Sequence, residues 1–311
     1  MTAFLSNIPL AITSLMLALF SLANLLSDFP KLSGIVYLLA TLLLSLITGR
    51  LLLTAKTLLT EFENPVVASS FASFFMSLFV FITALPFEQR LKIGLWGLVL
   101  ISYLIYIVWF SDHFISQKNL DQIYPSWFVL YVGLAISIPT SPSNTLEFLH
   151  LPILMVSSLA WLILFVTITY RQIKNPLSLT EKPLLAIYAA PLSLLLTAYL
   201  KLFPAANHPL ILGVLLFSQL LYLFALVIFF KQIRNTFSPI FSAFSFPLVS
   251  SIGALKASLP LFNYHQSILI LYTVELLLVI TIIGFLTYNV FKFFRQKSLK
   301  ILHASIINKN K

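Results

Sequence analysis

The stretch FSPIFSAFSFPLVSSIGALK, Phe237 to Lys256, has a proline at its third position, runs apolar for the length of a membrane crossing and ends on a lysine. A second proline, Pro247, stands beside Phe246 in mid-run, with serines on both sides of the pair. In a helix, Pro247 cannot donate to the carbonyl of Ala243, and its ring crowds that carbonyl, so a bend is expected there. In hydrocarbon the freed carbonyl must be met by another helix, a hydroxyl or a wet cavity. The serines supply such groups. At about 100° per residue, Ser242, Phe246 and Gly253 share one stripe that reaches Lys256; Val249 falls within it and Ser250 at its flank.

The rest of the chain is written in the same style. Of its 311 residues, 59% are hydrophobic and 9% charged, where a soluble domain carries roughly 25% charged residues. The solvent for most of the surface is therefore lipid. Windows of ~20 apolar residues, enough for a spanning helix, recur nearly from end to end. They read as ten helices: 8–26, 34–54, 65–85, 92–112, 125–139, 151–170, 183–202, 209–230, 238–257 and 267–291. Breaks fall where proline and charge cluster, as in SDFPK, LPFEQRLK, RQIKNP, FPAANHP and KQIRNTFSP. Residues 1–291 form one transmembrane domain, and 292–311 a basic cytoplasmic tail. The first apolar run has no Lys or Arg ahead of it, so it reads as a retained span rather than a signal peptide.

The net charge of +10 does not point to nucleic acid, because the basic residues lie in short loops and in the tail. Counted on alternate sides, one face holds Arg50, Lys56, Lys118, Arg171, Lys174, Lys182, Lys231, Arg234 and six in the tail, fourteen in all. The other holds five: Lys31, Arg90, Lys92, Lys201 and Lys256. By the positive-inside rule both termini are cytoplasmic and odd-numbered helices run outward.

The odd helices also begin alike. Pro9, Pro65, Pro125, Pro183 and Pro239 lie at intervals of 56, 60, 58 and 56 residues. Proline is tolerated in a first helical turn, where its missing N–H has no partner to lose, so each is a start signal. Near-equal spacing adds a fivefold repeat of a helical hairpin, and five such hairpins can close into a ring. Small and polar residues mark one sector of each odd helix: Thr13, Ser14, Ser21 and Asn24; Ser69, Ser70, Ser73 and Ser77; Ser126, Gly133, Ser137 and Thr140; Ala186, Ala190, Ser193 and Thr197. Two readings of these stripes stand side by side, the lining of a pore and close helix–helix packing. The second helix carries a similar stripe, Thr41, Ser45 and Thr48.

In IPLAITSLMLALFSLANLL, NPVVASSF, YPSWF, AAPLSLLLTAYL and FSAFSFPLVSSIGA, taken in order, the chain resembles the tellurite-resistance/dicarboxylate transporter (TDT) family. That TehA-like family is related to plant slow-type guard-cell anion channels. The resemblance implies an all-α integral membrane protein of the cell (plasma) membrane. It implies ten helices in five hairpins forming a quasi-fivefold ring, odd helices inside around a pore and even helices outside. It also implies homotrimers with one pore per subunit, and a phenylalanine plugging the pore, which by position is Phe246. The chain departs from the family at Asn7, where glycine is frequent, and at FVLYVGLA, which lacks a mid-helix proline seen in some members.

Phe246 and Pro247 are thus the candidate gate. Ser14, Ser69, Ser73, Ser137, Ser193, Thr197, Ser242, Ser250 and Gly253 are the candidate lining. Lys201 and Lys256 are placed for the outer mouth, where a cation raises local anion concentration. Glu275 is the odd charge, inside LYTVELLLVITII. An acid in a span is a functional candidate by default, here for proton coupling, and the other reading is an outer-leaflet carboxyl reaching the headgroups or bonding a neighbouring tyrosine. The expected cargo is a small inorganic or organic anion passing through a channel or exporter. The alternative is a proton-coupled carrier of C4-dicarboxylates such as malate. No cofactor is expected. With no cysteine, no phosphate-binding glycine loop and five histidines confined to loops and the tail (His113, His150, His208, His265, His303), neither an enzyme nor an ATP-driven pump is indicated.

Overall fold

Proline sets where the buried helices start. The computed structural model describes residues 5–117, 119–204 and 208–309. Pro65 is the first residue of a helix capped by Asn64, whose side chain accepts from the N–H groups of Val66 (2.9 Å) and Val67 (3.4 Å). Pro9 caps a short 3-10 turn, Pro239 begins one, and Pro183 is the second residue of another. Pro125 lies in the turn just ahead of Trp127.

Among the described residues the chain is helical with no strand. Eight helices are long and apolar enough to cross a membrane: α2 (Pro30–Leu53), α3 (Pro65–Ala84), α4 (Gln89–Ile115), α6 (Glu147–Lys174), α7 (Lys182–Leu202), α8 (Pro209–Gln232), α9 (Pro239–Phe262) and α10, whose apolar part is Gln266–Lys297. Two more apolar helices are shorter, α1 (Leu10–Leu25) and α5 (Trp127–Ser137). The ten fall within a few residues of the ranges expected from sequence, with three differences. The α6 helix starts a turn early and carries Pro152 inside it. A short helix, Ala55–Glu61, follows α2. Finally, α10 continues unbroken to Lys309, so the basic tail extends the last helix.

Burial separates the helices into two classes. In α3, α7 and α9, 56%, 78% and 72% of the most apolar window is buried; in α2, α4, α6, α8 and α10 the share is 28% to 33%. Most of α1 is buried too. The poorly buried helices point Leu38, Ile105, Met155, Val166, Leu220 and Leu277 outward. In water such faces would be unfavourable by about 25 cal/mol per Å², whereas acyl chains accept them. The well-buried elements pack on one another: α1 on α3 and α9, α3 on α5, α5 on α7, and α7 on α9.

Inside a bilayer, apolar area gives little drive for helices to associate, and packing rests on small side chains and interhelical hydrogen bonds of about 0.6 kcal/mol each. Ser73 and Thr13 join α3 to α1 at 2.7 Å, and Ser193 and Ser251 join α7 to α9 at 3.2 Å. Tyr103 of α4 donates to the Val129 carbonyl of α5 at 2.9 Å. Beside it lies Gly133, where a Cβ would fall 2.6 Å from Met76 Sδ and 2.8 Å from the Tyr103 hydroxyl. Gly133→Ala should therefore lower stability by about 1–3 kcal/mol, the range for overpacking, read as an earlier midpoint in thermal unfolding of the detergent-purified protein.

Two arginines that the sequence places among loop charges are buried. Arg50, at the end of α2, donates to the Ile8 carbonyl and pairs with Glu61 of the short helix. Arg171, at the end of α6, reaches the Asp121 carbonyl at 3.3 Å and lies over the Tyr124 ring, 4.9 Å from its centroid. Desolvating a guanidinium is expensive without partners; these contacts meet part of that cost, while Arg50 Nε and Arg171 Nε and Nη1 find no partner among the described residues. Setting both aside leaves the charge bias pointing the same way.

Candidate functional site

The stretch around Phe246 and Pro247 is built differently from a bent α-helix. The segment Pro239–Phe244 is wound as a 3-10 helix, and an α-helix begins at Ser245. Pro247 is the third residue of that α segment, in a first turn where no N–H is required. Pro191 holds the same place in α7: 3-10 winding over Lys182–Tyr188 gives way to α at Ala189. The bend expected at Pro247 is thus a change of helix type just ahead of it. Hydroxyls hold the junctions together. Ser245 donates to the Ser242 carbonyl at 2.6 Å, and Ser250 and Ser251 both reach the Pro247 carbonyl at 3.0 Å. Ser193 donates to the Ala189 carbonyl at 2.9 Å.

Two cavities meet at this junction. The smaller, about 20 Å³, is roughly the space of one water; Ser14, Ser73, Phe128, Gly133, Pro191 and Pro247 are among its walls. The larger, about 300 Å³, is bordered by Ser21, Asn24, Thr83, Thr140, Thr197, Ser250 and Gly253, among others. Phe246 and Leu194 line both. Residues of α1, α3, α5, α7 and α9 contribute to the smaller cavity; the larger has the same sources, with Pro139 and Thr140 from just past the end of α5. Among the described residues no charged side chain lines either one.

The candidate hydroxyls divide between these cavities and the packing around them. Ser14 and Ser73 face the small cavity, while Thr197, Ser250 and Gly253 face the large one. Four others border neither. Ser69 bonds the Ser126 hydroxyl at 2.7 Å, Ser137 its own helix at Leu134 (2.8 Å), and Ser193 is joined to Ser251, while Ser242 is buried. The polar stripes therefore divide between cavity walls and helix–helix contacts.

The charges near the large cavity stand at its edge. Lys256 donates to the carbonyl of Leu25, a lining residue, at 3.0 Å, and lies 3.5 Å from Asp28. Lys92 donates at 3.1 Å to the carbonyl of Thr83, another lining residue. Sequence reasoning counted Lys92 only as an outer loop charge; its place shortly after LPFEQR, close to the end of α3, is the signal that could have found it. Lys201 is exposed and borders neither cavity. Neutralising both edge lysines, Lys92→Gln with Lys256→Gln, should cut anion flux about threefold to tenfold at low salt and less at high salt, because local enrichment of anions is screened. Flux measured against ionic strength checks this.

Glu275 lies in α10, buried, away from both cavities, and its Oε2 has no hydrogen-bond partner among the described residues.

A family model described as SLAC1, voltage-dependent anion channel, matches residues 7–296. The chain belongs to the SLAC1 family. Membership accounts for a multi-pass membrane protein, and the SLAC1 match runs through every helix that borders the two cavities. No curated protein matches the chain.

Proposed function

We infer that this chain is a passive channel for small anions, with α1, α3, α5, α7 and α9 as the inner members of five hairpins and the even-numbered helices outside. In this reading the two cavities are one path interrupted by the Phe246 ring, with Leu194 opposite it as the second part of the barrier. The carrying observation is that, among the described residues, these two apolar side chains alone border both cavities and no fixed charge lies along either. A channel must bind an ion well enough to admit it and weakly enough to release it. Hydroxyls suit that balance: Ser250 and Thr197 now donate to their own helices, at 3.0 Å each, and can rotate toward an anion when one passes. Lys92 and Lys256 supply the enrichment at the wide mouth. The excess of basic residues on the opposite side supports a cytoplasmic location for both termini, and the family resemblance supports a homotrimer with one path per subunit.

The same reading sets aside the proton-coupled dicarboxylate carrier. A dicarboxylate site would present Arg or Lys to its cargo, and Glu275 stands outside both cavities. Proteoliposomes containing the purified protein, loaded with chloride, nitrate or malate, test this with and without a pH gradient. Flux should follow the electrochemical gradient of the small anion, and Glu275→Gln should match the parent from acid to neutral pH within about twofold. Malate uptake that needs the proton gradient and disappears in Glu275→Gln would replace the channel with the carrier.

A further inference from the structure

Where α8 ends and α9 begins, a third cavity of about 410 Å³ lies apart from the two on the proposed path. Its size falls in the ~300–1,000 Å³ range of small-ligand sites. Its walls divide by chemistry. Phe241, Phe285 and Phe293 make an aromatic side; Asn235, Asn289 and Lys292 make a polar one, and among the described residues no carboxylate lines it. Asn235 spends one amide N–H on Gln232 (2.6 Å) and Asn289 one on the Phe285 carbonyl (2.8 Å), and each amide has a second donor. Lys292 is exposed and is in neither of the two ion pairs among the described residues. A second ammonium, Lys297, lies 5.7 Å from the centre of the Phe293 ring, anchored by the Asn7 carbonyl at 3.1 Å.

Aromatic walls accept hydrocarbon, whereas amide N–H groups and ammonium ions accept an oxyanion. An amphiphile with an anionic head satisfies both sides at once. The cavity also lies at the end of the molecule that carries most of the basic residues, the level at which a cytoplasmic leaflet offers anionic headgroups. We propose that it binds one anionic phospholipid, the phosphate on Lys292 and the two amides, the upper acyl chain along the phenylalanines. Bound there, the lipid braces the opening turn of the gate helix. Phe241 contacts Phe244 at 5.9 Å between ring centres, Phe244 contacts Phe229 at 5.3 Å, and Phe229 contacts Phe285 at 6.1 Å. Only the leaflet named here rests on the orientation proposed above.

Native mass spectrometry of the whole detergent-solubilised protein, titrated with phosphatidylglycerol or phosphatidylcholine, tests the site. Phosphatidylglycerol should be retained at least tenfold more tightly. Lys292→Glu should remove about tenfold of that preference, Lys292→Arg should keep it, and Lys231→Glu, a basic residue outside the cavity, should leave it in place. Equal retention of the two lipids, or equal losses from Lys292→Glu and Lys231→Glu, would overturn the proposal. Inorganic phosphate binding as tightly as the lipid would assign a free anion and also overturn it. Binding is read without transport, so intact lipid binding in a protein that passes no anion counts against the channel alone.

Discussion

Phe246→Ala is expected to raise anion flux through proteoliposomes tenfold or more at unchanged protein abundance. The ring is one of two side chains shared by both cavities, and on one side only about 20 Å³ is open. Apolar constrictions of this kind hold ions back by excluding water, and a tenfold gain needs only about 1.4 kcal/mol off the barrier. A phenylalanine truncated in a packed core costs about 3–5 kcal/mol. Phe246 borders a 300 Å³ space already, so its packing loss should be smaller and the protein should fold. Phe244→Ala is the informative contrast. That ring is fully buried against Phe229 and Phe241, so its loss should lower stability without raising flux. Unchanged flux in folded Phe246→Ala would remove Phe246 from the mechanism.

The second large effect has the opposite sign. Gly253→Leu should reduce flux tenfold or more while leaving stability equal or slightly higher. A Cβ built at Gly253 meets nothing within 4 Å, and the residue lines the large cavity. The added side chain therefore grows into the large cavity, the proposed path, rather than into a neighbour, and leucine is favoured over glycine in a helix by up to ~1 kcal/mol. If the two sites lie in series, Gly253→Leu should also suppress the gain of Phe246→Ala in the double variant. Flux that stays high in the double variant would mean that ions bypass the large cavity.

Much of this was legible in the chain itself. Proline spacing marked the starts of the buried helices because a missing N–H is harmless there, and apolar length marked the rest. The position of Phe246 was legible only with the family resemblance, since it is one of 29 phenylalanines. Helix type was not legible: 3-10 and α winding share residue preferences, so Pro247 read as a kink inside one helix. Nor could periodicity separate Ser250, which faces a cavity, from Ser193, which faces a neighbouring helix. Both carry a hydroxyl on the inner side, and the choice is made by which helix stands opposite. Arg50 read as a loop charge because its partner, Glu61, lies in a short helix that apolar length does not detect.

The six residues of Pro239–Phe244 have one more implication. A 3-10 turn rises about 2.0 Å and rotates about 120° per residue, an α turn about 1.5 Å and 100°. Rewinding those six residues would draw in the thread by about 3 Å and swivel whatever follows by about 120°. Phe246, the proposed gate, sits two residues further on, so a local change of pitch would turn its ring as a screw turns a valve.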